Sequence, residues 1–564
     1  MSKTFLILTI IFLAFLLRIV DISDLPPSLN WDEVSHGYNA YSILKTGRDE
    51  WGTFMPTIFR AFGDYKLPVY IYLTAISEFF FGLGPLAVRL PSVIAGAVTV
   101  LFTYLLTEEL FKNSQLKISN SKLKIASAVL IAVAPWSLFL SRIALEANLA
   151  VAFITAGFYF FLRGLRDAKY QLLSAVLLGI SVWTYNSARV FVPLLLVAGL
   201  LIYRSYLLPA RNRHALALAG GLIAIFFVPM FLQLLNAQGQ ARYGNVRIID
   251  QGAVAEIEEL RNKNDFPKIF ERAVFNRPVF FVGRFVQNYI SHFSPGFLFI
   301  NGGADFQFSL PGHGLLYPVE VVPFYFGLVI FILKSRKQKE FRFALAWIAL
   351  APIASSITRE APHVLRNIVV LPMPMVLSAF GILYLLRLLK SRPHKLLVGG
   401  VYGILLTAFF IRYLVAYAGE YRVNFSRAWQ FGYKEAVSFT KENYHNYDKI
   451  IFSKKYGEPH EFVLFYWPWT PVSYQNDPNL VRFFQSDWYW VDSFDKFYFV
   501  NDWQIPQKGT EFVLESGGQF DCVNCLLVTS PGNAPAEFSK IETINFLDGT
   551  TAFEVYTQNT LVRN

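Results

Sequence analysis

The sequence predicts a polytopic α-helical membrane protein that ends in a mixed α/β extracytoplasmic domain, and three observations carry that prediction. Of the 564 residues, 54% are hydrophobic, 17% aromatic and only 16% charged, whereas soluble domains carry about 25% charged residues. Apolar runs close to the roughly 18–20 residues needed to cross a bilayer recur along the first 415 positions. The basic residues fall mainly in short links between those runs, as the positive-inside rule demands of cytoplasmic loops. The formal net charge of +11 therefore reflects topology. A nucleic-acid partner is not expected, because no basic stripe with interleaved aromatics occurs.

Residues 4–20 form the first apolar run, with a thin positive start and no small-residue cleavage site, so it is expected to stay as a membrane anchor. With the amino terminus inside, the loop at 21–66 lies outside and holds seven acidic and four basic residues. The run at 67–83 contains Glu78 and is read as an interfacial helix of this first outer loop, which then covers 21–83. As a full span it would place Lys112, Lys117, Lys122 and Lys124 on the wrong face. Spans are then expected near 87–110, 124–141, 146–163, 170–186, 190–203, 214–235, 317–333, 341–357, 364–386 and 396–414, about eleven in all. The five inner links between them hold 19 Lys or Arg against two acids. The outer links include a long loop at 236–316. Pro372 and Pro374 predict a kink or break in the tenth span, tolerated only where neighbours satisfy the freed carbonyls. From 416 to 564 alternating aromatic and polar runs, such as those at 449–452 and 497–500, predict strands of an α/β domain on the outer face. The chain is expected in the cytoplasmic membrane of a cell, with residues 1–415 as the transmembrane module.

Every unusual polar cluster lands on the outer side of this topology. Asn30 is a good helix N-cap and Glu33 completes a capping-box pattern, which puts Asp32 and Glu33 in a first helical turn where the dipole favours negative charge. His36, four residues after Asp32, shares its face. An aspartate held there can act as a general base, a metal ligand or a solvated helix start. Glu146 sits at the mouth of a span, either as a helix-end charge or as a functional acid. Lys66 either snorkels to the interface or holds a phosphate as a point charge. Arg359, His363 and Arg366 place positive charge against the inside trend, where an anionic lipid head group is the natural partner. His313, between two glycines, is a metal ligand or a loop residue. Cys522 and Cys525 have redox-motif spacing, but without further ligands for zinc a short local disulfide is the expectation on an oxidising face.

These residues resemble those of the polytopic glycosyltransferases with the GT-C fold, in particular the superfamily of protein O-mannosyltransferases and lipid A aminoarabinose transferases. The likeness covers roughly residues 1–415 and is best in the first 190. Trp31-Asp32-Glu33 with His36-Gly37 resembles the Asp-Glu motif of that group's first outer loop. Asp64-Tyr65-Lys66-Leu67-Pro68 resembles its later Lys/His-Pro-Pro element, with Leu67 in place of the first proline. Arg89-Leu90-Pro91-Ser92 resembles the start of its second span, and Ser141-Arg142 through Leu145-Glu146 resembles an Arg…Leu-Asp motif with glutamate for aspartate.

The resemblance implies transfer of one sugar from a polyprenyl-phosphate donor to a glycan, lipid or protein acceptor on the outer face, with inversion at the anomeric carbon. It implies Asp32 as the base, with Glu33 and Glu146 orienting the acceptor or holding a divalent ion where one is used. His313 joins them as a metal candidate. Lys66, Arg89 and Arg366 are the implied phosphate cations, and His36, Asp64, Arg142 and His363 complete the substrate-binding set. A transporter or flippase of polyprenyl-linked sugars is the alternative. The absence of a visible inverted repeat and the placement of most acids at outer mouths weigh against it.

Overall fold

The computed structural model describes residues 3–112, 114, 118–207, 213–264 and 266–558; Lys117, counted above in an inner link, lies outside them. The chain divides into two compact units, one of Met1–Arg18, Ser92–Ser141 and Glu146–Leu414, the other of Ile19–Pro91, Arg142–Leu145 and Val415–Asn564. The segments 19–91 and 142–145 thus group with the C-terminal residues.

The first unit is helical, and helix lies within each of the eleven predicted spans, but those expected at 124–141, 341–357 and 364–386 are interrupted. Six helices in the described residues are long and apolar enough to cross a membrane: Pro85–Leu110, Glu146–Gly164, Asn186–Leu207, His214–Leu234, Pro318–Ser335 and Arg392–Asn424. The expected span at 124–141 is broken. Asn120–Val133 ends before Pro135, and a short helix, Pro135–Leu140, follows. Proline 135 has no N–H for the Ile131 carbonyl, and the Trp136 N–H turns away to Leu315 O at 3.1 Å, so the carbonyls of Ile131 and Ala132 lose their helical partners. Arg18, fully buried, takes both with its guanidinium, at 3.4 and 3.0 Å. Gly96 leaves room for that side chain, since a Cβ there would sit 2.6 Å from Arg18 Nε.

The tenth span breaks where its prolines predict. A 3-10 turn, Ile368–Val370, precedes the helix Met373–Leu388. Two buried indoles serve the irregular backbone: Trp136 Nε1 donates to Val364 O at 3.2 Å and Trp347 Nε1 to Val369 O at 2.9 Å. Met373–Leu388 then packs on Val321–Ser335 through Gly381 and Gly327, close enough that a Cβ on Gly381 would fall 1.8 Å from Pro323 O. Backbone cannot yield as a side chain can. Gly381→Ala is therefore expected to cost at least about 1–3 kcal/mol, the scale of overpacking, measurable as a lower thermal midpoint in detergent.

The long loop at 236–316 is largely helical. Ala237–Val246, Gln251–Asn262, Lys268–Val274 and Arg277–Ser291 run through it. The last is held at its end by Asn288 Nδ2, which donates to Thr358 O at 2.8 Å, and by the Tyr289 hydroxyl, which donates to Ala349 O at 2.8 Å.

In the second unit a strand pair, β1 (Phe59–Arg60) and β2 (Tyr65–Lys66), joins the helices Trp31–Thr46 and Pro68–Phe81. The C-terminal part contains β3 (Lys449–Ser453), β4 (Val481–Gln485), β5 (Trp488–Phe494), β6 (Phe497–Val500), β7 (Glu511–Val513), β8 (Gln519–Asp521), β9 (Cys525–Thr529), β10 (Phe538–Asn545) and β11 (Thr551–Gln558). Seven of these form one sheet in the order β10-β11-β9-β3-β6-β5-β4, with β7 and β8 paired apart. β3 lies parallel to both β6 and β9 at its centre, which is why Ile450, Ile451 and Phe452 form an unbroken apolar run with no exposure. Cys522 and Cys525 form a disulfide within a core that includes Phe512 and Leu527.

Candidate active site

The helix Trp31–Thr46 begins with the capping box its sequence predicts. Asn30 Oδ1 accepts from the Glu33 N–H at 3.0 Å, and Glu33 Oε2 accepts from the Asn30 N–H at 3.2 Å. A further N–H of the first turn, that of Trp31, donates to Gln430 Oε1 at 2.8 Å. The helix also lies close to Pro459–Tyr466, where Gly37 faces Phe465; a Cβ there would be 2.4 Å from the ring. The start of this helix is thus fixed from several sides.

Adjacent carboxylates on this turn meet opposite fates. Glu33 has no exposed side-chain area and pairs with Arg89, likewise fully buried, through Nε to Oε1 at 2.8 Å and Nη2 to Oε2 at 2.9 Å. The Ala144 N–H adds a bond to Oε1 at 2.8 Å. Arg89 spends its other donors on backbone: Nη1 on Ile22 O at 2.8 Å and Pro26 O at 3.1 Å, Nη2 on Ser28 O at 2.5 Å. All five guanidinium N–H groups are taken, which leaves none for a phosphate. Four donors fill the Glu33 carboxylate, which leaves it neither a free base nor an open metal ligand. Arg142 works alongside, its Nη2 donating to Val20 O at 2.7 Å and Leu25 O at 3.0 Å.

Asp32 instead keeps 22% of its side chain exposed and meets Lys66 Nζ at 2.8 Å. Lys66 also faces Asp64 at 3.7 Å. The β1–β2 pair brings this lysine back to the helix start. His36 is buried one turn on, its ring 5.4 Å from that of Tyr70. Asp32, Glu33, His36, Asp64, Lys66, Arg89 and Arg142 are therefore gathered within one unit.

The remaining sequence candidates lie in the helical unit. Glu146 opens the helix Glu146–Gly164 directly after the 142–145 segment and is 9% exposed. His363 Nδ1 accepts from the N–H groups of Leu365 and Arg366 at 3.2 and 3.3 Å, so it caps its own turn. Arg366 donates to Thr358 Oγ1 at 3.0 Å and Glu360 Oε2 at 2.7 Å. His313 Nδ1 lies 3.1 Å from Pro311 O. Among the described residues no group of three or more His, Cys, Asp or Glu side chains is placed to hold a metal ion.

Residues that sequence reasoning left aside also belong here. Trp488, at the start of β5, stacks on Phe62 with centroids 5.7 Å apart and meets Trp31 edge-on at 6.4 Å, while the Tyr489 N–H donates to Phe62 O at 2.8 Å. Gly63 admits the indole, since a Cβ would lie 2.5 Å from it. The β4–β5 hairpin thus walls the Asp32–Lys66 pair's own loop with aromatic rings. Burial pushes the Glu50 carboxyl above the usual carboxylate range and that of Glu458 up to about 8.

The fold is of the GT-C class. Over 100% of this chain and 99% of the other it matches the crystal structure of ArnT from Cupriavidus metallidurans bound to undecaprenyl phosphate, at 13% identity and a TM-score of 0.53. The apo state of the same protein matches over 83% of this chain and 85% of that one, at 11% identity and a TM-score of 0.50. The archaeal oligosaccharyltransferase AglB from Archaeoglobus fulgidus, in complex with an inhibitory peptide and a dolichol-phosphate, covers 82% of this chain at 14% identity and a TM-score of 0.49. The chain spans only 63% of that enzyme's length. No protein-family model and no curated protein matches the sequence. At such identities the likeness is one of fold.

Proposed function

We propose that this chain is a membrane glycosyltransferase that moves one sugar from a polyprenyl-phosphate donor to an acceptor hydroxyl on the extracytoplasmic face. The observation that carries the reading is the split between neighbours: Glu33 is locked by Arg89, while Asp32 reaches solvent beside a single lysine. The undecaprenyl phosphate bound by the ArnT structure of the same fold supports the choice of donor. In the step, Asp32 takes the proton of the acceptor O–H as its oxygen attacks the anomeric carbon from the side opposite the phosphate. The bond from that carbon to the phosphate oxygen breaks, and polyprenyl phosphate leaves with the electron pair. Lys66 meets the charge that develops on the leaving group, a point-charge role suited to an ammonium. The leaving group is a stable anion and needs no strong acid, so positioning and electrostatics supply most of the rate. The N-terminus lies inside and residues 416–564 outside, following the basic inner links.

Mass spectrometry of glycans, glycolipids and glycoproteins from cells with and without the chain tests this reading. One sugar-sized mass difference on one acceptor class is expected, and it names hexose or pentose directly. Identical profiles under conditions where the chain is expressed would overturn the proposal.

A further inference from the structure

A helix on the surface of a soluble protein turns its apolar stripe to the core and its polar side to water. The helix Arg277–Ser291, within the 236–316 segment, does the reverse. Val279, Val282, Val286 and Ile290 fall within about 80° of arc at 100° per residue, and all four stand between 47% and 62% exposed. About 160° from the middle of that arc lie Arg284 and Asn288, and these are the side chains that tie the helix to its neighbours. Arg284 Nη2 donates to both oxygens of Glu256, at 2.9 and 3.1 Å, and Asn288 Nδ2 donates to Ser356 O at 3.2 Å and Thr358 O at 2.8 Å. The short helix just before, Lys268–Val274, adds Ile269 and Phe270 to the exposed apolar surface. Patches of this kind mark a surface that something covers.

The place where the helix is attached names the cover. Asn288 reaches the carbonyls at 356 and 358, and the Tyr325 hydroxyl, in the span Pro318–Ser335, donates to Phe293 O at 2.7 Å. The chain turns back between Ser335 and Lys339, so the far ends of the two spans that meet there share one membrane face, and the helix is tied to both. Tyr325 lies on the side of its span that carries Val322, Val329 and Ile332, three, four and seven residues away, and those three are exposed as a lipid-facing stripe has to be. From Phe293 a ladder of rings, Tyr289, Phe285 and Phe281, runs back along the helix with centroids 5.5, 6.1 and 6.3 Å apart, and aromatic rings collect at membrane–water boundaries. Between 266 and 291 four basic residues accompany one acid, the bias of helices whose cations sit at head-group level. We propose that the helix Arg277–Ser291 lies flat in the lipid–water boundary and that its partner is the bilayer surface, with Val279, Val282, Val286 and Ile290 entering the acyl region while Arg284 and Asn288 face the protein. The 236–316 segment is then anchored at the membrane instead of standing in the water above it. This inference concerns topology and is independent of sugar transfer.

The test uses single cysteines as probes in the full chain, since Cys522 and Cys525 are joined in a disulfide. Val282→Cys and Val286→Cys on the apolar face and Gln287→Cys on the polar side each carry a nitroxide, and all three positions are exposed, so the labels displace no packed side chain. In phosphatidylcholine–phosphatidylglycerol liposomes, electron paramagnetic resonance compares collisions with oxygen, which concentrates in the bilayer, and with a water-soluble nickel chelate. Labels at 282 and 286 are expected about 5–10 Å below the phosphates, the depth of interfacial helices, and the label at 287 is expected to meet the nickel chelate. Equal access at all three positions, the mark of a helix wholly in water or wholly in lipid, would overturn the inference. So would labels at 282 and 286 shielded from both reagents, the mark of a second copy or another protein on that face.

Discussion

Asp32→Asn is expected to lower sugar transfer by about 10²–10⁴-fold, the contribution of a positioned general base, while expression and thermal stability stay close to wild type. The asparagine is isosteric, and the capping of the helix rests on Asn30, Glu33 and Gln430, none of which the change touches. What is lost is a partly exposed ion pair with Lys66, a contact worth about 1 kcal/mol or less. Asp64, 3.7 Å from the same lysine, stays in place. The measurement is transfer in vesicles given a labelled polyprenyl-phosphate sugar, with a melting curve on the same preparation. Full activity in the variant would remove Asp32 from the chemistry.

Arg89→Ala is expected to act on the fold. It strands the Glu33 carboxylate in a site with no solvent access and strips donors from the carbonyls of Ile22, Pro26 and Ser28. Removing one partner of a buried pair costs about 3–5 kcal/mol, a large share of the roughly 5–15 kcal/mol that holds a domain together. Loss of folded protein in the membrane is the predicted result. Replacing both members, as Arg89→Met with Glu33→Met, is expected to recover much of that loss, because no charge is then left stranded. A phosphate-binding role makes the opposite forecast: weaker donor dependence at unchanged stability. Thermal midpoints and donor KM on the same variants separate the two.

These two residues also show where sequence reading reaches and where it stops. The capping box at Asn30 and Glu33 was legible because its partners lie three residues apart, and the break at Pro372 because proline lacks an N–H. The charge sorting of the links exposed the spans for the same reason, as a property of composition over short stretches. The difference between Asp32 and Glu33 was not legible. Successive helix positions point about 100° apart, and which direction meets a buried guanidinium depends on a partner 56 residues on and an N–H 111 residues on. Arg89 therefore reads as a phosphate cation in a motif and stands in the structure as an internal tie. Trp488 and Gln430 were hidden likewise, since nothing local to a strand or turn more than 390 residues away announces that it closes the loop around Asp32. The break at Pro135 left a local sign, but its remedy, Arg18, is again distant in sequence.

The most direct measurement reconstitutes the purified chain in liposomes and supplies a polyprenyl-phosphate sugar labelled in the sugar, with a cell-envelope extract as acceptor. The account predicts that label leaves the lipid and enters a covalent product, with one polyprenyl phosphate released per sugar moved, and that Asp32→Asn stops both together. Label that crosses the bilayer while still joined to its lipid, with no polyprenyl phosphate released, would contradict it and make the chain a carrier.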